Sequence, residues 1–146
     1  MIDIFDLVFD TLYSSLSTTY SSANITAGYD EKKASGLTIA IREIGNVPYV
    51  SGNTDDCAEN YTRVTIEVEV DSDKENTARS ECKKVLTDAD TAMQNMKFRR
   101  TYMSRPMNID RTAYRQYARY EAIVGKPIVL NPNTQQEKTV FQMYRR

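Results

Sequence analysis

Apolar positions at the start of the chain recur at helical spacing, with aspartates at the polar positions between them. This pattern predicts an amphipathic helix over residues 1–18, and acidic side chains in its first turns favour the positive end of the helix dipole. The Ser- and Thr-rich segment that follows, up to Gly36, has no apolar period and predicts turns. The apolar stripe of the helix consists of Ile4, Phe5, Val8, Phe9, Leu12 and Leu16.

Alternation of apolar and polar residues predicts two strands in the first half of the chain. The first spans residues 37–42, and the second spans 61–70, where valine and isoleucine occupy one face and charged residues the other. One face of such a strand lies in the core, and the other meets water or a partner. Residues 45–60 between them hold two glycines, a proline and three acids without a period. We interpret this segment as a long loop, of a length that is often functional.

A second helix follows, and the spacing Ser72-x-x-Glu75 in front of it is that of a capping box. Cys82 lies on the apolar stripe of this helix, which indicates a small buried hydrophobic residue rather than a reactive thiol. Two further strands are predicted at residues 98–103 and 112–124. The stripe of the helix consists of Ala78, Cys82, Val85, Leu86, Ala89, Ala92, Met93 and Met96.

The order of elements is helix, strand, strand, helix, strand, strand, and it predicts an α+β fold in a single domain over residues 1–146. We expect an antiparallel or mixed sheet of about four strands, with both helices packed on one face. Residues 1–18 then form the N-terminal helix, 37–125 the sheet and the second helix, and 126–146 a C-terminal extension. The strands on either side of the second helix can pair in parallel through a right-handed crossover.

Composition excludes several kinds of catalytic and metal site. The chain has no histidine, which removes Ser-His-Asp and Cys-His catalysis and the commonest zinc and iron sites. Its five glycines are scattered and form neither a P-loop nor a dinucleotide fingerprint. Glu67 and Glu69 lie about 7 Å apart on one strand face, a spacing compatible with glycoside chemistry, but no cleft is indicated around them. We therefore predict a protein that is not an enzyme, without catalytic residues, metal ligands or cofactor.

Charge divides the chain into an acidic and a basic part. Residues 1–96 carry 17 acidic and 8 basic side chains, whereas residues 97–146 carry 3 acidic and 11 basic ones. Such asymmetry is typical of polyanion binding or of complementary surfaces between partners. It is equally compatible with a fold that brings acidic and basic side chains together, so that their charges cancel. No apolar run reaches the ~20 residues of a membrane helix, so we expect no membrane span.

Arginine and tyrosine alternate along the last predicted strand, whose polar face carries Arg115, Tyr117 and Arg119. Together with Arg99 and Arg100, these arginines are candidates for nucleic-acid binding. Arginine and tyrosine are also enriched at protein interfaces. Because alternation leaves a single aromatic ring on this face, and because glutamates on the strand at 61–70 complement the arginines, we favour contact with protein.

The region 37–125 resembles the tail terminator, or tail completion, proteins of long-tailed siphophages. The resemblance lies in a strand of alternating valines, a helix that reads SECKKVLTDADTAM, a strand with KFRR, a proline–asparagine turn, a strand that ends in ARYEAIVG, and a closing YRR. The N-terminal helix lies where the family has one. Residues 45–60 and 126–143 carry none of the resemblance.

This resemblance implies a structural virion protein at the head–tail junction, assembled in the host cytoplasm. Its subunits form a homo-oligomeric, hexameric ring on the last ring of the tail tube protein, which ends tube polymerisation. The ring then offers a joining surface to the head connector or head-completion proteins. Within the same class, the alternative is a head-completion or connector-adaptor protein. The alternative from another class is a nucleic-acid-binding protein that uses the basic C-terminal part.

In a head-to-tail ring each interface is heterologous, so complementary patches lie on different surfaces of one chain. Subunit contacts are expected at Arg63, Glu67, Glu69, Arg115, Arg119 and Glu121. Contacts with neighbouring subunits or the adjoining ring are expected at Val47, Tyr49, Val50, Phe141, Met143 and Tyr144. DNA passes through such a ring without specific binding. Because each phosphate paired with a basic residue would strengthen binding and slow passage, the lumen is expected to be lined by acidic residues. The acidic residues expected at the lumen are Asp55, Asp56 and Glu59.

Overall fold

The computed structural model describes residues 2–28, 36–49, 61–74, 76–108 and 113–125, together with the backbone of residues 143 and 144. Within them lie two helices and seven strands. The elements are α1 (Phe5–Thr19), β1 (Asn24–Ala27), β2 (Thr38–Pro48), β3 (Tyr61–Ser72), α2 (Ala78–Asn95), β4 (Arg99–Met103), β5 (Met107–Asn108), β6 (Tyr114–Gly125) and β7 (Met143–Tyr144). The predicted α+β fold is confirmed, with more strands than the four expected.

All seven strands belong to one mixed sheet, whose main path runs β1-β2-β3-β6-β4, with β5 and β7 also paired to β6. β1 is parallel to β2, and β6 is antiparallel to all of its neighbours. The two strands that flank α2 are β3 and β4. They run in the same direction, but β6 lies between them, so the direct parallel pair that the sequence suggests is wrong.

The core lies between the two helices and one face of the sheet. α1 packs on β1 and α2, while α2 packs on β3, β6 and β4. α1 buries Val8, Leu12 and Leu16 of its predicted stripe. Alternate residues of β3 from Val64 to Val70 are fully buried, and each such side chain stabilises the fold by about 1.5–3 kcal/mol. Neither helix in the described ranges combines the length and apolar composition needed to cross a membrane.

β2 is longer than the sequence pattern indicates. It continues through residues 45–48, which pair with β3 instead of belonging to a loop. The pairing register shifts between Glu43 and Gly45, where Ile44 is the extra residue of a β-bulge. Because one residue is inserted, the positions that follow change faces, and the period of two that identifies a strand is lost. The predicted loop is therefore wrong at 45–48, while residues 50–60 lie outside the described ranges.

α2 begins without the capping box that the sequence spacing predicts. Its N-cap residue is Thr77, whose side chain makes no capping hydrogen bond. Ser72 instead ends β3, which is two residues longer than predicted, and its Oγ donates a hydrogen bond to Oε2 of Glu81 at 2.7 Å. The prediction for Cys82 is confirmed, since it is fully buried. Burial raises the pKa of the Cys82 thiol to about 11, so little reactive thiolate exists at neutral pH.

Candidate protein-interaction face

The face of the sheet that lies away from the two helices is called here the open face. Along β3 and β6 its residues alternate with core positions, so the polar residues of each strand lie on the open face. Six of its charged residues form one connected series of ion pairs across three strands. In order along the connected pairs, this ion-pair ladder consists of Arg119, Glu67, Arg42, Glu69, Arg115 and Asp71.

One half of the ladder is centred on Glu67 of β3. Its Oε2 accepts a hydrogen bond from Nε of Arg119 at 3.0 Å, and its Oε1 lies 3.3 Å from Nη1 of Arg42. Strand register explains both contacts, because Glu67 stands opposite Arg42 on β2 and opposite Arg119 on β6. Side chains in directly opposed positions are close enough to interact. The hydrogen bond with Glu67 raises the pKa of Arg119 above its ordinary value.

The other half of the ladder is centred on Glu69, two residues further along the same face of β3. Glu69 pairs with both Arg42 and Arg115, so Arg42 serves two glutamates. Arg115 also donates two hydrogen bonds to Asp71, with 2.9 Å from Nε to Oδ1 and 3.3 Å from Nη2 to Oδ2. Three guanidinium groups and three carboxylates therefore alternate along the ladder, which carries no net charge.

The centre of the ladder is buried, and its ends are exposed. The side chain of Arg42 is 7% exposed and that of Glu67 10%, whereas that of Arg119 is 45% exposed. Taking an ion out of water costs several kcal/mol, and this cost is offset only when the ion is well paired. Loss of a partner is therefore much more costly at Arg42 than at Arg119.

Two tyrosines flank the exposed end of the ladder. Tyr102 stands opposite Arg119 across the β4–β6 pair, and Tyr117 lies two residues before Arg119 on β6. The guanidinium carbon of Arg119 is 5.9 Å from the ring centroid of Tyr102 and 5.4 Å from that of Tyr117. Cations at such distances are attracted to the ring faces. A second contact of this kind joins Arg63 to the ring of Tyr49, at 5.4 Å.

All six residues expected at subunit contacts lie on the open face, and each has a partner within its own chain. Four of them belong to the ladder. The other two, Arg63 and Glu121, form a separate exposed pair with 3.5 Å between Nε and Oε1. Their charges are thus paired inside one subunit, and contact of this face with a neighbouring subunit stays a prediction.

Sequence reasoning did not select Arg42, Asp71 or Tyr102 as members of the site. The face of Arg42 follows from the alternation of β2, but its partners depend on which strand lies beside it. Asp71 continues the alternation of β3 one residue beyond the predicted end of that strand. No sequence signal places Tyr102 beside Arg119, because the register of β4 shifts after Arg100.

The residues expected to contact adjoining subunits or rings occupy one end of the sheet, as far as they are described. Val47 lies on β2 and is 60% exposed, and Tyr49 donates its backbone N–H to the carbonyl of Tyr61 at 2.9 Å. The backbone of Met143 and Tyr144 forms β7, which pairs with β6 of the same chain. Outside the described residues lie Val50, Phe141, Asp55, Asp56 and Glu59.

Most of the arginines considered for nucleic-acid binding have carboxylate partners in the chain. Arg100 of β4 donates from Nη1 to Oδ1 of Asp90 on α2 at 3.2 Å, and Arg99 stands opposite Glu121. The remaining two belong to the ladder. Among the residues that the structure describes, no group of three or more acidic or thiol side chains is arranged to hold a metal ion.

Comparison with known protein families and curated proteins finds no significant match. The functional argument therefore rests on the sequence itself, on the fold and on the open face. They define an α+β protein whose open sheet face is organised by paired charges and by tyrosines.

Proposed function

We propose that this chain is a structural, non-enzymatic subunit of the siphophage tail terminator class. It caps the tail tube as a ring, ends tube polymerisation and provides the surface for head–tail joining. The proposal rests on the sequence resemblance over residues 37–125. The observed order of elements supports it, since an N-terminal helix precedes a sheet whose second helix lies between the strand of alternating valines and the arginine-rich strand.

The observation in the structure that supports a protein-binding subunit over a nucleic-acid-binding one is the pairing of charges in the ion-pair ladder. A surface that binds phosphates needs arginines whose charge is available to the polyanion. In the ladder, three carboxylates offset the three guanidinium groups, and the exposed end consists of Arg119 between two tyrosines. Arginine and tyrosine are enriched at protein interfaces, and a side chain held in place before binding loses less freedom on contact. The open face therefore favours a protein partner over a nucleic acid.

The partners of the proposed ring are the tail tube protein, the head connector or head-completion proteins, and further copies of the chain. Val47 supports contact with an adjoining ring, because an exposed apolar side chain beside Tyr49 and Arg63 has the mixed character of an interface. Asp55, Asp56 and Glu59 are proposed for the lumen, where acidic side chains let DNA pass without holding it.

Tail length in a phage with a stop codon in this gene tests the proposal. We expect tail tubes that grow beyond their normal length and lack heads, because nothing ends polymerisation. Expression of the wild-type chain from a plasmid should restore the length, which controls for effects on neighbouring genes. Tails of normal length beside unjoined heads would contradict the proposal and support a head-completion adaptor instead.

Gel-shift assays with duplex DNA test the alternative from the other class. We expect the purified chain to give no shift at ~50 mM salt, because carboxylates already pair with the arginines of the open face. Low salt is the stringent condition, since binding to phosphates is strongest there. A shift at ~50 mM that disappears at ~200 mM would contradict the proposal. In that case the variant Arg115→Gln/Arg119→Gln should weaken the shift, which would assign the binding to the open face.

A further inference from the structure

The outer side of β4 is an edge of the sheet. β4 is the last strand of the main path, and among the described residues β6 is the one strand paired with it. Every residue of β4 is exposed. A strand in this position presents backbone N–H and C=O groups that can pair with another chain. We name the outer side of Arg99–Met103 the β4 edge.

Side chains of β4 lie on both faces of the sheet. Tyr102 stands opposite Arg119 and therefore lies on the open face. The next residue, Met103, stands opposite Ala118 and lies on the face that the helices cover. Tyr102 is 49% and Met103 36% exposed. An added strand would therefore meet an exposed side chain on each of its faces, because successive residues of a strand point to opposite faces.

Positive charge surrounds the β4 edge. Residues 97–108 contain four basic and no acidic side chains. Arg100 is paired with Asp90 of α2. Lys97 and Arg105 precede and follow the strand, and within the described ranges their side chains have neither a hydrogen bond nor an ion pair. The charges at both ends of the β4 edge are therefore available for a partner.

These charges favour an acidic partner over a second copy of the same edge. Two β4 edges paired with each other would bring arginines of both copies together, and like charges in opposed positions destabilise a strand pair. The register shift after Arg100, where Thr101 is the extra residue, increases the local twist and limits the length of regular pairing. A nucleic acid has no ladder of amide and carbonyl groups to match the backbone of an edge. A short acidic stretch of polypeptide meets the requirements of charge, length and backbone chemistry.

We infer that the β4 edge binds a short, extended, acidic segment of a partner protein, which joins the sheet as a further strand. In this mode main-chain hydrogen bonds provide affinity, and side chains at alternate positions provide specificity. The carboxylates of the segment face Lys97 and Arg105, and its apolar groups pack against Tyr102 and Met103. The inference rests on the proposed function for the class of partner, which is another virion protein. The binding itself is a property of the sheet.

Fluorescence anisotropy with a labelled peptide tests the inference on the full chain. The probe is an acetylated and amidated peptide with the sequence Glu-Val-Glu-Val-Glu, and we expect it to bind saturably. A peptide of the same sequence that is methylated at every backbone nitrogen keeps the carboxylates but cannot donate main-chain hydrogen bonds. It should bind at least about tenfold more weakly, since several hydrogen bonds are lost. A Lys-Val-Lys-Val-Lys peptide should not bind, because its charge has the same sign as the edge.

Variants at the two ends of β4 test the contribution of charge. Lys97→Gln/Arg105→Gln should weaken binding of the acidic probe roughly fivefold, the size expected when two exposed ion pairs are lost. Arg79→Gln/Lys83→Gln is the matched control, because it removes the same charge from α2 and should bind like the wild-type chain. Urea unfolding of each variant shows that it is folded. Equal binding by the two double variants would contradict the inference.

Hydrogen exchange measured by mass spectrometry locates the bound probe. We expect slower exchange of backbone amides in Arg99–Met103 when the acidic peptide is bound, because an added strand protects the amides of the edge. Protection confined to other parts of the chain would overturn the inference, and so would the absence of saturable binding. Equal binding of the methylated peptide would overturn it too, because charge alone would then explain the contact. Displacement of the probe by duplex DNA at ~50 mM salt would assign the edge to a polyanion instead.

Two combinations of results distinguish this inference from the proposed function. If the acidic probe binds at β4 but the stop-codon phage makes tails of normal length, the peptide-binding edge stands and the proposed function fails. If the stop-codon phage makes overlong tails but the acidic probe does not bind, the proposed function stands and the inference is wrong.

Discussion

The helix-covered face and the open face of the sheet are both buried along β3, but by different chemistry. Ile66 is fully buried beneath the helices, and its neighbour Glu67 is only 8% exposed although it points the other way. Ile66 is covered by apolar side chains of the core cluster. Glu67 is held between the guanidinium groups of Arg42 and Arg119. Burial alone therefore does not distinguish the core of this protein from its open face.

The two faces differ in what they contribute to the fold: one supplies free energy of folding, and the other fixes the positions of its side chains. Apolar burial is non-directional and contributes in proportion to area, so the helix-covered face supplies most of the folding free energy. Paired buried ions contribute little net stability, but each ion depends on the position of its partner. The open face therefore contributes a fixed arrangement of side chains more than it contributes free energy.

Truncation of neighbouring residues on β3 should give the largest contrast between the faces. We expect Ile66→Ala to lower the free energy of unfolding by about 2–5 kcal/mol, because it removes buried methyl groups and leaves a cavity. Thr65→Ala, one residue away on the open face, should cost less than about 1 kcal/mol. Urea denaturation followed by circular dichroism measures both values. Equal losses would contradict the division between the faces.

Removal of one cation from the ladder should have the next largest effect. Arg42→Gln leaves two buried glutamates with one arginine each, so we expect a loss of about 3 kcal/mol in the free energy of unfolding. Arg63→Gln is the matched control, because its pair with Glu121 is exposed and should contribute below about 1 kcal/mol. If the urea midpoints of the two variants coincide, the centre of the ladder is not the buried network described above.

A carboxylate on the helix-covered face should show the smallest effect, and it should depend on pH. Burial raises the pKa of Glu43 above its ordinary value, and Asp3 adds to this, while a hydrogen bond with Asn46 opposes it. Because the pKa of Glu43 is raised on folding, the neutral carboxyl group favours the folded state at low pH. This stabilisation is lost as the pH rises through the pKa of the folded state and Glu43 ionises.

Glu43→Gln should therefore raise the urea midpoint slightly at pH 7 and leave it unchanged near pH 3, where the carboxyl group of the wild-type chain is neutral. Glu121→Gln on the open face is the control and should show no such gain at pH 7, because it removes an ion pair. An identical midpoint of the wild-type chain and Glu43→Gln at pH 7 would show that burial of this carboxylate has no cost.

The features that the sequence predicts well are those with a local period. The stripe of α2 and the faces of β3 follow from spacings within one element, because a helix repeats every 3.6 residues and a strand every two. The same periods predict that Arg115, Tyr117 and Arg119 share a face. Their common position on the open face is therefore predictable without knowledge of the neighbouring strands.

The features that the sequence does not predict depend on residues far apart in the chain. β6 lies between β3 and β4, and no local pattern determines which strand takes that place. The ladder needs this arrangement, since Glu67 meets Arg42 on one side and Arg119 on the other. β1 was not predicted because it has only four residues, too few for a clear alternation.

The β-bulge at Ile44 has a consequence for how this chain can change in length during evolution. Positions after the bulge keep their faces only because one extra residue is present, and Asn46 there donates a hydrogen bond to the carbonyl of Ile2 at 2.8 Å and accepts one from Thr62 at 2.6 Å. Deletion of one residue would turn Asn46 to the opposite face. Insertions and deletions in this stretch of β2 are therefore expected in steps of two residues. A change by an odd number of residues would move every following side chain of the strand to the opposite face of the sheet.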